Sequence, residues 1–146
     1  MKIIAAIVIP FMLISHVGWL TDFNEAQKIA IQKHQLILLN FSGSDWCGPC
    51  IRLRKEIFNS EAFLNFSDSN LVLINADFPR SIKNKLSDEQ EKKNDALADK
   101  YNADGKFPYT LLLNDDGTII KTWDGFPNVS PDEFVREVRS ICNQYK

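Results

Sequence analysis

The sequence is poor in the side chains that bind metal ions. It has three cysteines and two histidines in 146 residues, and no second CxxC or HxxxH pattern accompanies the pair Cys47 and Cys50. The other ligand candidates are Cys142, His34 and His16. A tetrahedral zinc site normally takes four cysteine or histidine ligands. We therefore expect no metal ion and no other bound cofactor.

The sequence also lacks an excess of charge of either sign. It carries 17 lysines and arginines against 19 aspartates and glutamates, a formal net charge of −2. A nucleic-acid-binding surface requires an electrostatic excess of positive charge, so we expect no nucleic acid and favour a protein or peptide partner. The chain is 45% hydrophobic, which is enough for one core and predicts a single folded domain.

The apolar run near the N-terminus, residues 3–14 after Lys2, is too short for a typical membrane span. A basic residue followed by such a run is typical of a secretory signal peptide. We predict a signal peptide or N-terminal anchor at residues 1–18, a folded domain at residues 19–146, and export to the periplasm or another extracytoplasmic compartment. Residues 15–18 lack a clear small-x-small cleavage pattern, which leaves an uncleaved membrane anchor as one alternative. A buried N-terminal strand is another.

The cysteine pair follows an almost continuously apolar run. Residues 36–41 are typical of a buried parallel strand, and residues from Pro49 onward show helical spacing of apolar side chains. Cys47 is therefore predicted at a helix N-terminus, where unpaired backbone N–H groups and the helix dipole lower the pKa of a thiol. Cys50 lies one turn further on the same face and can attack a mixed disulfide formed at Cys47. This arrangement predicts thiol–disulfide exchange.

Two structural explanations of the pair compete with the redox one. A disulfide that closes about four residues stabilises a chain by roughly 2 kcal/mol in the chain-entropy model, less than a longer bridge would. Half of a zinc site would need ligands that the sequence does not supply. A CxxC near a strand–helix junction favours a redox motif over both.

Two motifs make the chain resemble the thioredoxin superfamily. Residues 46–50 read Trp-Cys-Gly-Pro-Cys, and residues 107–110, Phe-Pro-Tyr-Thr, match the cis-proline segment of that family. The resemblance runs from Thr21 to the C-terminus, with a charged segment lengthening the spacing between the motifs. It implies an α/β fold of three layers, α/β/α, with a central mixed sheet and a cis-proline loop.

The resemblance also implies roles for single residues. It makes Cys47 the nucleophile and Cys50 the resolving thiol. Pro108 would be the cis residue facing the pair, and Phe107 would offer its backbone to an extended substrate.

Three further residues of the first motif are expected to shape the site. Gly48 and Pro49 resemble the dipeptide of reducing thioredoxins, which favours reduction as the direction of the reaction. Trp46 is expected to shield the thiols, with simple packing as the alternative.

The chain departs from the family at two charged positions. Where many thioredoxins carry a buried aspartate, this sequence has Asn40, and where they often place a lysine it has Leu73. The joint loss of both charges makes physical sense, because losing one alone would leave the other buried and unpaired. Asp45 is then a candidate proton acceptor for Cys50, with a solvated turn or helix cap as the alternative.

These observations predict an exported protein that reduces the disulfides of other exported proteins. The expected partners are disulfide-containing proteins and a membrane-bound electron donor, since a reductase among oxidised proteins needs a supply of electrons. We expect a monomer whose only redox group is the Cys47–Cys50 disulfide. The alternatives are a disulfide oxidase or isomerase, and a peptide-binding module in which the cysteine pair does not turn over.

The rest of the sequence is predicted to be scaffold. The expected helices cover residues 22–33 and 87–101, and two more begin at residues 60–64 and at 130. The expected strands cover residues 71–76, 109–113 and 118–123. Cys142 is expected to be a half-buried thiol beside the core face of the last helix. Arg80, Lys83 and Lys85 precede the charged helix 87–101 and are either solvated or part of a docking surface.

Overall fold

The structure is a computed structural model that describes residues 18–145. The prediction of a signal peptide or anchor at residues 1–18 falls almost wholly outside the described residues. Within them, no helix is both long and apolar enough to cross a membrane. The helices are α1 (Phe23–Lys33), α2 (Gly48–Leu53), α3 (Glu61–Asn70), α4 (Asp88–Tyr101) and α5 (Pro131–Cys142); the strands are β1 (Leu36–Ser42), β2 (Leu71–Asp77), β3 (Tyr109–Leu113) and β4 (Ile119–Asp124).

The four strands form one mixed sheet in the order β2-β1-β3-β4. β1 pairs in parallel with β2 and antiparallel with β3, and β4 pairs antiparallel with β3. Leu20 adds a parallel bridge at the free edge of β2: its N–H donates to the carbonyl of Leu73 at 2.8 Å, and its carbonyl accepts from the N–H of Asn75 at 2.9 Å. The mixed sheet agrees with the predicted fold.

Every residue of β1 is buried, because helices cover both faces of the sheet. The strand alternates its side chains between two cores. Leu36 and Leu38 face a core completed by α2, α3 and α5, whereas Ile37, Leu39 and Phe41 face a core completed by α1 and α4. These two cores give the three layers, and β1 delivers the cysteine motif at the carboxyl end of the sheet centre.

The helices begin where the sequence supplies caps. Asp22, Ser60 and Ser87 each accept a backbone N–H at a helix start, and Ser130 forms a reciprocal capping box with Glu133. The predicted helix starts are confirmed at all four positions.

Two local features were not predicted. Arg54–Phe58 continues α2 as a π-helical turn, in which the N–H of Asn59 donates to the carbonyl of Arg54 at 2.9 Å. Ile82–Asn84 forms a short 3₁₀ turn before α4.

The prediction for Cys142 was wrong in its degree of burial. Cys142 is 3% exposed and belongs to the core on the α5 side of the sheet, rather than being half-buried. α5 buries this position together with Phe134 and Val138, so the last turn of the helix is still packed against the core. Cys142 forms no disulfide.

Candidate active site

The cysteine motif lies at the turn from β1 into α2. Cys47 is the N-cap of α2, with extended backbone dihedrals of φ −89° and ψ 98°. Its sulfur accepts the backbone N–H of Cys50 at 3.3 Å. Pro49 occupies the first turn of the helix, where a missing N–H costs no helical hydrogen bond. The motif therefore places one sulfur directly at the positive end of a helix.

Cys47 and Cys50 form a disulfide, with sulfurs 2.10 Å apart and Cα atoms 5.2 Å apart. Both residues are buried, at 5% and 4% exposed. The N–H of Gly43 points at the Cys50 sulfur from 3.5 Å. Each sulfur thus has one backbone N–H directed at it, and such donors stabilise a thiolate when the bond is reduced.

The loop between β1 and the motif is held by a carboxylate on the neighbouring strand. Asp77, at the end of β2, accepts the Ser42 hydroxyl at 3.2 Å and the Ser44 N–H at 2.9 Å through Oδ1. It accepts the Ser44 hydroxyl at 2.6 Å through Oδ2. No role was predicted for Asp77 from the sequence. The parallel pairing of β1 and β2 was the available signal, because the carboxyl ends of parallel neighbours meet at one edge.

The Asp45 carboxylate binds a later segment of the chain. Its Oδ1 accepts the N–H of Arg80 at 2.9 Å, and its Oδ2 accepts the N–H of Ser81 at 2.9 Å and the side-chain amide of Asn84 at 3.0 Å. The N–H of Arg80, the amide of Asn84 and the N–H of Ser81 hold the pKa of Asp45 below its ordinary value. A carboxylate with a lowered pKa is a weaker proton acceptor, so these contacts favour a positioning role.

Trp46 packs between the motif and two other loops. Its indole N–H donates to the carbonyl of Phe78 at 2.7 Å, and its ring meets that of Phe107 edge-on at 5.5 Å between centroids. The guanidinium of Arg80 lies 3.7 Å from the centre of the indole. The Gly43 backbone lies against the same ring, leaving no room there for a Cβ. Trp46 therefore packs the cysteine motif against the segments that carry Phe78, Arg80 and Phe107.

The peptide bond between Phe107 and Pro108 is cis. Pro108 is buried and directly precedes β3, whose Tyr109 lies opposite Phe41 of β1. The cis-proline segment and the cysteine motif therefore lie at the same end of the sheet. The carbonyl of Pro108 accepts the N–H of Gly125 at 2.9 Å, and Gly125 has a φ of +80°, which glycine adopts without strain. No role was predicted for Gly125 from the sequence.

A row of two amides and a hydroxyl crosses the sheet at Asn40. Asn40, Asn75 and Thr110 lie side by side on β1, β2 and β3. The Asn40 amide donates to the side-chain oxygen of Asn75 at 2.9 Å, and the Thr110 hydroxyl donates to the side-chain oxygen of Asn40 at 3.0 Å. Leu73 is 5% exposed and packs in the apolar core.

A cleft of about 230 Å³ leads from the surface to this polar row and to Cys50. Asn40 and Asn75 line it together with Cys50, and Arg54 and Lys55 also contribute to its wall. Since a water molecule takes up about 30 Å³ of liquid, the cleft has room for water beside the resolving cysteine.

Among residues 18–145, no group of three or more histidine, cysteine, aspartate or glutamate side chains is arranged to hold a metal ion. The redox group that the site contains is the disulfide itself.

The sequence is similar to a protein family and to two proteins of Chlamydia pneumoniae. The thioredoxin-like domain family matches residues 23–141. The disulfide bond reductase DsbH of Chlamydia pneumoniae is 33% identical over 119 residues, which make up 82% of this chain and 69% of that protein. The thioredoxin-related protein DsbJ of the same organism is 29% identical over 111 residues, 75% of this chain but 31% of DsbJ.

Solved structures agree with the sequence matches. The structure of a DsbH oxidoreductase has a TM-score of 0.78 at 29% identity, covering 88% of this chain and 86% of that one. A thioredoxin from Thermus thermophilus has a TM-score of 0.65 at 15% identity, covering 89% and 90%. The second likeness concerns the fold alone.

Proposed function

Because the chain belongs to the thioredoxin-like family, we propose that it is a thiol–disulfide oxidoreductase that reduces the disulfides of exported proteins. The observation that carries this proposal is the Cys47–Cys50 disulfide at the N-terminus of α2. A disulfide of this short span stabilises a chain less than a longer bridge would, whereas its position at a helix N-terminus favours the thiolate needed for exchange. The family relationship to a protein named disulfide bond reductase supports the same chemistry.

The reaction follows from the unequal positions of the two sulfurs. In the reduced protein, the Cys47 thiolate attacks one sulfur of a substrate disulfide, forms a mixed disulfide and expels the other substrate sulfur. Cys50 then loses its proton and attacks the Cys47 sulfur, which restores the Cys47–Cys50 disulfide and expels the second substrate sulfur. Two electrons pass from the dithiol to the substrate, and the two expelled thiolates take up protons.

The proton of Cys50 leaves through the cleft. The polar row beside this cysteine contains amides and a hydroxyl, none of which is a base at neutral pH. Asp45 stays engaged with the 80–84 segment. Water in the cleft beside Cys50 is therefore the proposed acceptor, with the Gly43 N–H stabilising the thiolate that forms.

The substrate backbone binds beside the cis-proline segment. Phe107 and Pro108 present the backbone along which an extended substrate lies, while Gly48 and Pro49 hold the cysteines at the start of the helix. Trp46, which packs against Phe107 and Arg80, is the proposed shield on one side of the disulfide. The protein acts as a monomer, without a bound cofactor.

The remaining parts of the proposal concern the compartment and the electron supply. Residues 1–18 act as a signal peptide or anchor, and residues 19–146 form the redox domain outside the cytoplasm. A reductase in an oxidising compartment needs a reductant to return it to the dithiol state. A membrane-bound thiol donor is the class of partner that fits.

The first test is the reduction potential of the Cys47–Cys50 pair, measured by equilibrating the full chain with glutathione and dithiothreitol buffers. A potential near that of reducing thioredoxins, about −270 mV, supports a reductase. A potential near about −120 mV, the range of strong disulfide oxidants, overturns the proposed direction.

The second test separates catalysis from binding without turnover. The Cys50→Ser variant should trap a mixed disulfide with a reducible protein substrate, because the resolving thiol is gone. The Cys47→Ser variant is the matched control and should trap none. Equal trapping by both variants, or none by either, contradicts the proposed mechanism.

A further inference from the structure

Four cationic side chains without carboxylate partners lie on the two segments that flank the cysteine motif. Arg54 and Lys55 line the cleft that reaches Cys50. Arg80 lies over the indole of Trp46, and Lys83 follows in the exposed 3₁₀ turn. Within residues 18–145, none of the four forms an ion pair with an aspartate or glutamate within 4.0 Å. We call Arg54, Lys55, Arg80 and Lys83 the cationic rim.

The acidic side chains on this side of the molecule are already engaged. Asp77 accepts three hydrogen bonds from the loop of the motif, and Asp45 accepts three from the 80–84 segment. Glu56 pairs with Arg52 at 2.9 Å, and Asp124 pairs with Lys106 at 2.8 Å. Arg52 and Lys106 offset the charges of Glu56 and Asp124, whereas Asp45 and Asp77 bind neutral donors and keep their charges. The four cations of the rim outnumber these two carboxylates. The rim is thus a local positive region in a chain of net charge −2.

The position of the 80–84 segment is fixed relative to the motif. Asp45, two residues before Cys47, binds the N–H groups of Arg80 and Ser81 and the side chain of Asn84. The side chain of Ile82, between the two rim cations, is 92% exposed. A surface that combines fixed cations with an exposed apolar side chain beside a reactive disulfide is suited to recognising another protein.

We infer that the cationic rim selects disulfide substrates whose cysteines are flanked by acidic residues. This inference rests on the proposed oxidoreductase function and specifies its substrate class. Positive charge around the motif attracts an acidic segment and orients it over the sulfurs, which raises the rate of encounter. An acidic protein segment fits better than an anionic membrane surface because two of the rim cations line the cleft that reaches Cys50, where a substrate must arrive.

The test compares two symmetric peptide disulfides that differ only in having glutamates or lysines beside the cysteine. The full chain in nonionic detergent is reduced, freed of reductant and mixed with each peptide in a single turnover. Neutral 4,4′-dithiodipyridine serves as a third substrate. At low ionic strength we expect the acidic peptide to react about tenfold faster than the basic one. The preference should shrink in 0.5 M salt, where screening acts over only a few ångströms.

A charge-reversal pair separates the rim from the net charge. Lys55→Glu combined with Lys83→Glu should abolish or reverse the preference for the acidic peptide. Lys28→Glu combined with Lys33→Glu, two exposed positions on α1, changes the net charge equally and should keep the preference. Lys83→Glu alone, in an exposed turn, should lower the preference even if the double variant folds poorly.

The outcomes distinguish this inference from the function on which it rests. Equal rates for the two peptides in the unmodified chain, or equal effects of the two charge-reversal pairs, overturn the inference and leave the oxidoreductase function intact. Binding to anionic phosphatidylglycerol vesicles through the rim, without a preference between peptides, also overturns it. Failure to reduce either peptide or dithiodipyridine contradicts the proposed function itself.

Discussion

Replacing Asn40 with aspartate tests whether the row beside Cys50 tolerates a charge. Asn40 is 5% exposed, and its amide donates to an oxygen of Asn75. A protonated carboxyl at position 40 can make the same hydrogen bond, whereas an ionised one would face that oxygen with no proton between them. Burial and hydrogen bonding therefore both favour the neutral acid, and both raise the pKa of the new group.

The expected loss of stability follows from that pKa. An aspartate in the unfolded chain titrates near about 3.9, and each unit by which folding raises the pKa costs about 1.4 kcal/mol above the folded pKa. A rise of about two units lies well within the range for buried acids and corresponds to about 3 kcal/mol at pH 7. The cost should fall to about 0.5 kcal/mol at pH 4, where about half of the unfolded chains already carry the proton, and should nearly vanish at about pH 3 and below. The variant therefore loses stability as the pH rises from about 4 to 7.

Urea unfolding of the oxidised protein, followed by circular dichroism from pH 4 to pH 8, measures this difference. Asn65→Asp is the matched control, because it makes the same chemical change at an exposed position on α3 and should cost less than about 0.5 kcal/mol. An Asn40→Asp variant within about 1 kcal/mol of the unmodified chain at pH 7, with no dependence on pH, would refute the reasoning. That result would mean that water in the cleft, or a cation that lines it, stabilises an ionised carboxylate at position 40.

Two further predictions concern the loops around the motif. Gly43→Ala should lower the free energy of unfolding by about 1–3 kcal/mol and shift the fluorescence of Trp46, because the new methyl group meets the indole. Gly48→Ala is the control: a Cβ there meets open space, so neither quantity should change. Equal effects of the two substitutions would contradict the packing of Gly43 against Trp46. Asp45→Asn should speed tryptic cleavage in the segment that Asp45 holds. Folding lowers the pKa of Asp45 from 3.8, so the ionised carboxylate stabilises the fold above that pH, and this stabilisation is lost as the pH falls through the folded pKa. A difference in melting temperature between the variant and the unmodified chain that persists at pH 2 would argue against this role of the carboxylate.

The elements that carry the cysteine motif could be predicted because their signals are local. The apolar run before the motif and the helical spacing after it placed β1, α2 and the helix-capping position of Cys47. Hydrophobic periodicity and capping residues act within a few positions of the chain, so a short stretch of sequence is enough to recognise them.

The destinations of the polar side chains around the site could not be predicted in the same way. Asp45 binds groups 35 to 39 residues later in the sequence, and Ser44 binds Asp77 33 residues away. An aspartate before a helix has several partners within its reach, and only the packed sheet decides among them. The joint replacement of two family charges was visible at Asn40, but the pairing of Asn40 with Asn75 and Thr110 depends on the register of three strands.

The contact between the Cys47 sulfur and the N–H of Cys50 links the redox state of the protein to its folding. Capping is stronger for an anionic sulfur than for a disulfide sulfur, since hydrogen bonds to charged acceptors are stronger. In a closed thermodynamic cycle, the difference in unfolding free energy between the dithiol and disulfide forms equals the difference in reduction potential between the folded and unfolded cysteine pair. About 1.4 kcal/mol corresponds to about 30 mV for this two-electron couple. Denaturation curves of the two forms therefore measure how far the fold tunes its own potential, and any substitution near the start of α2 that favours the dithiol makes the protein a stronger oxidant.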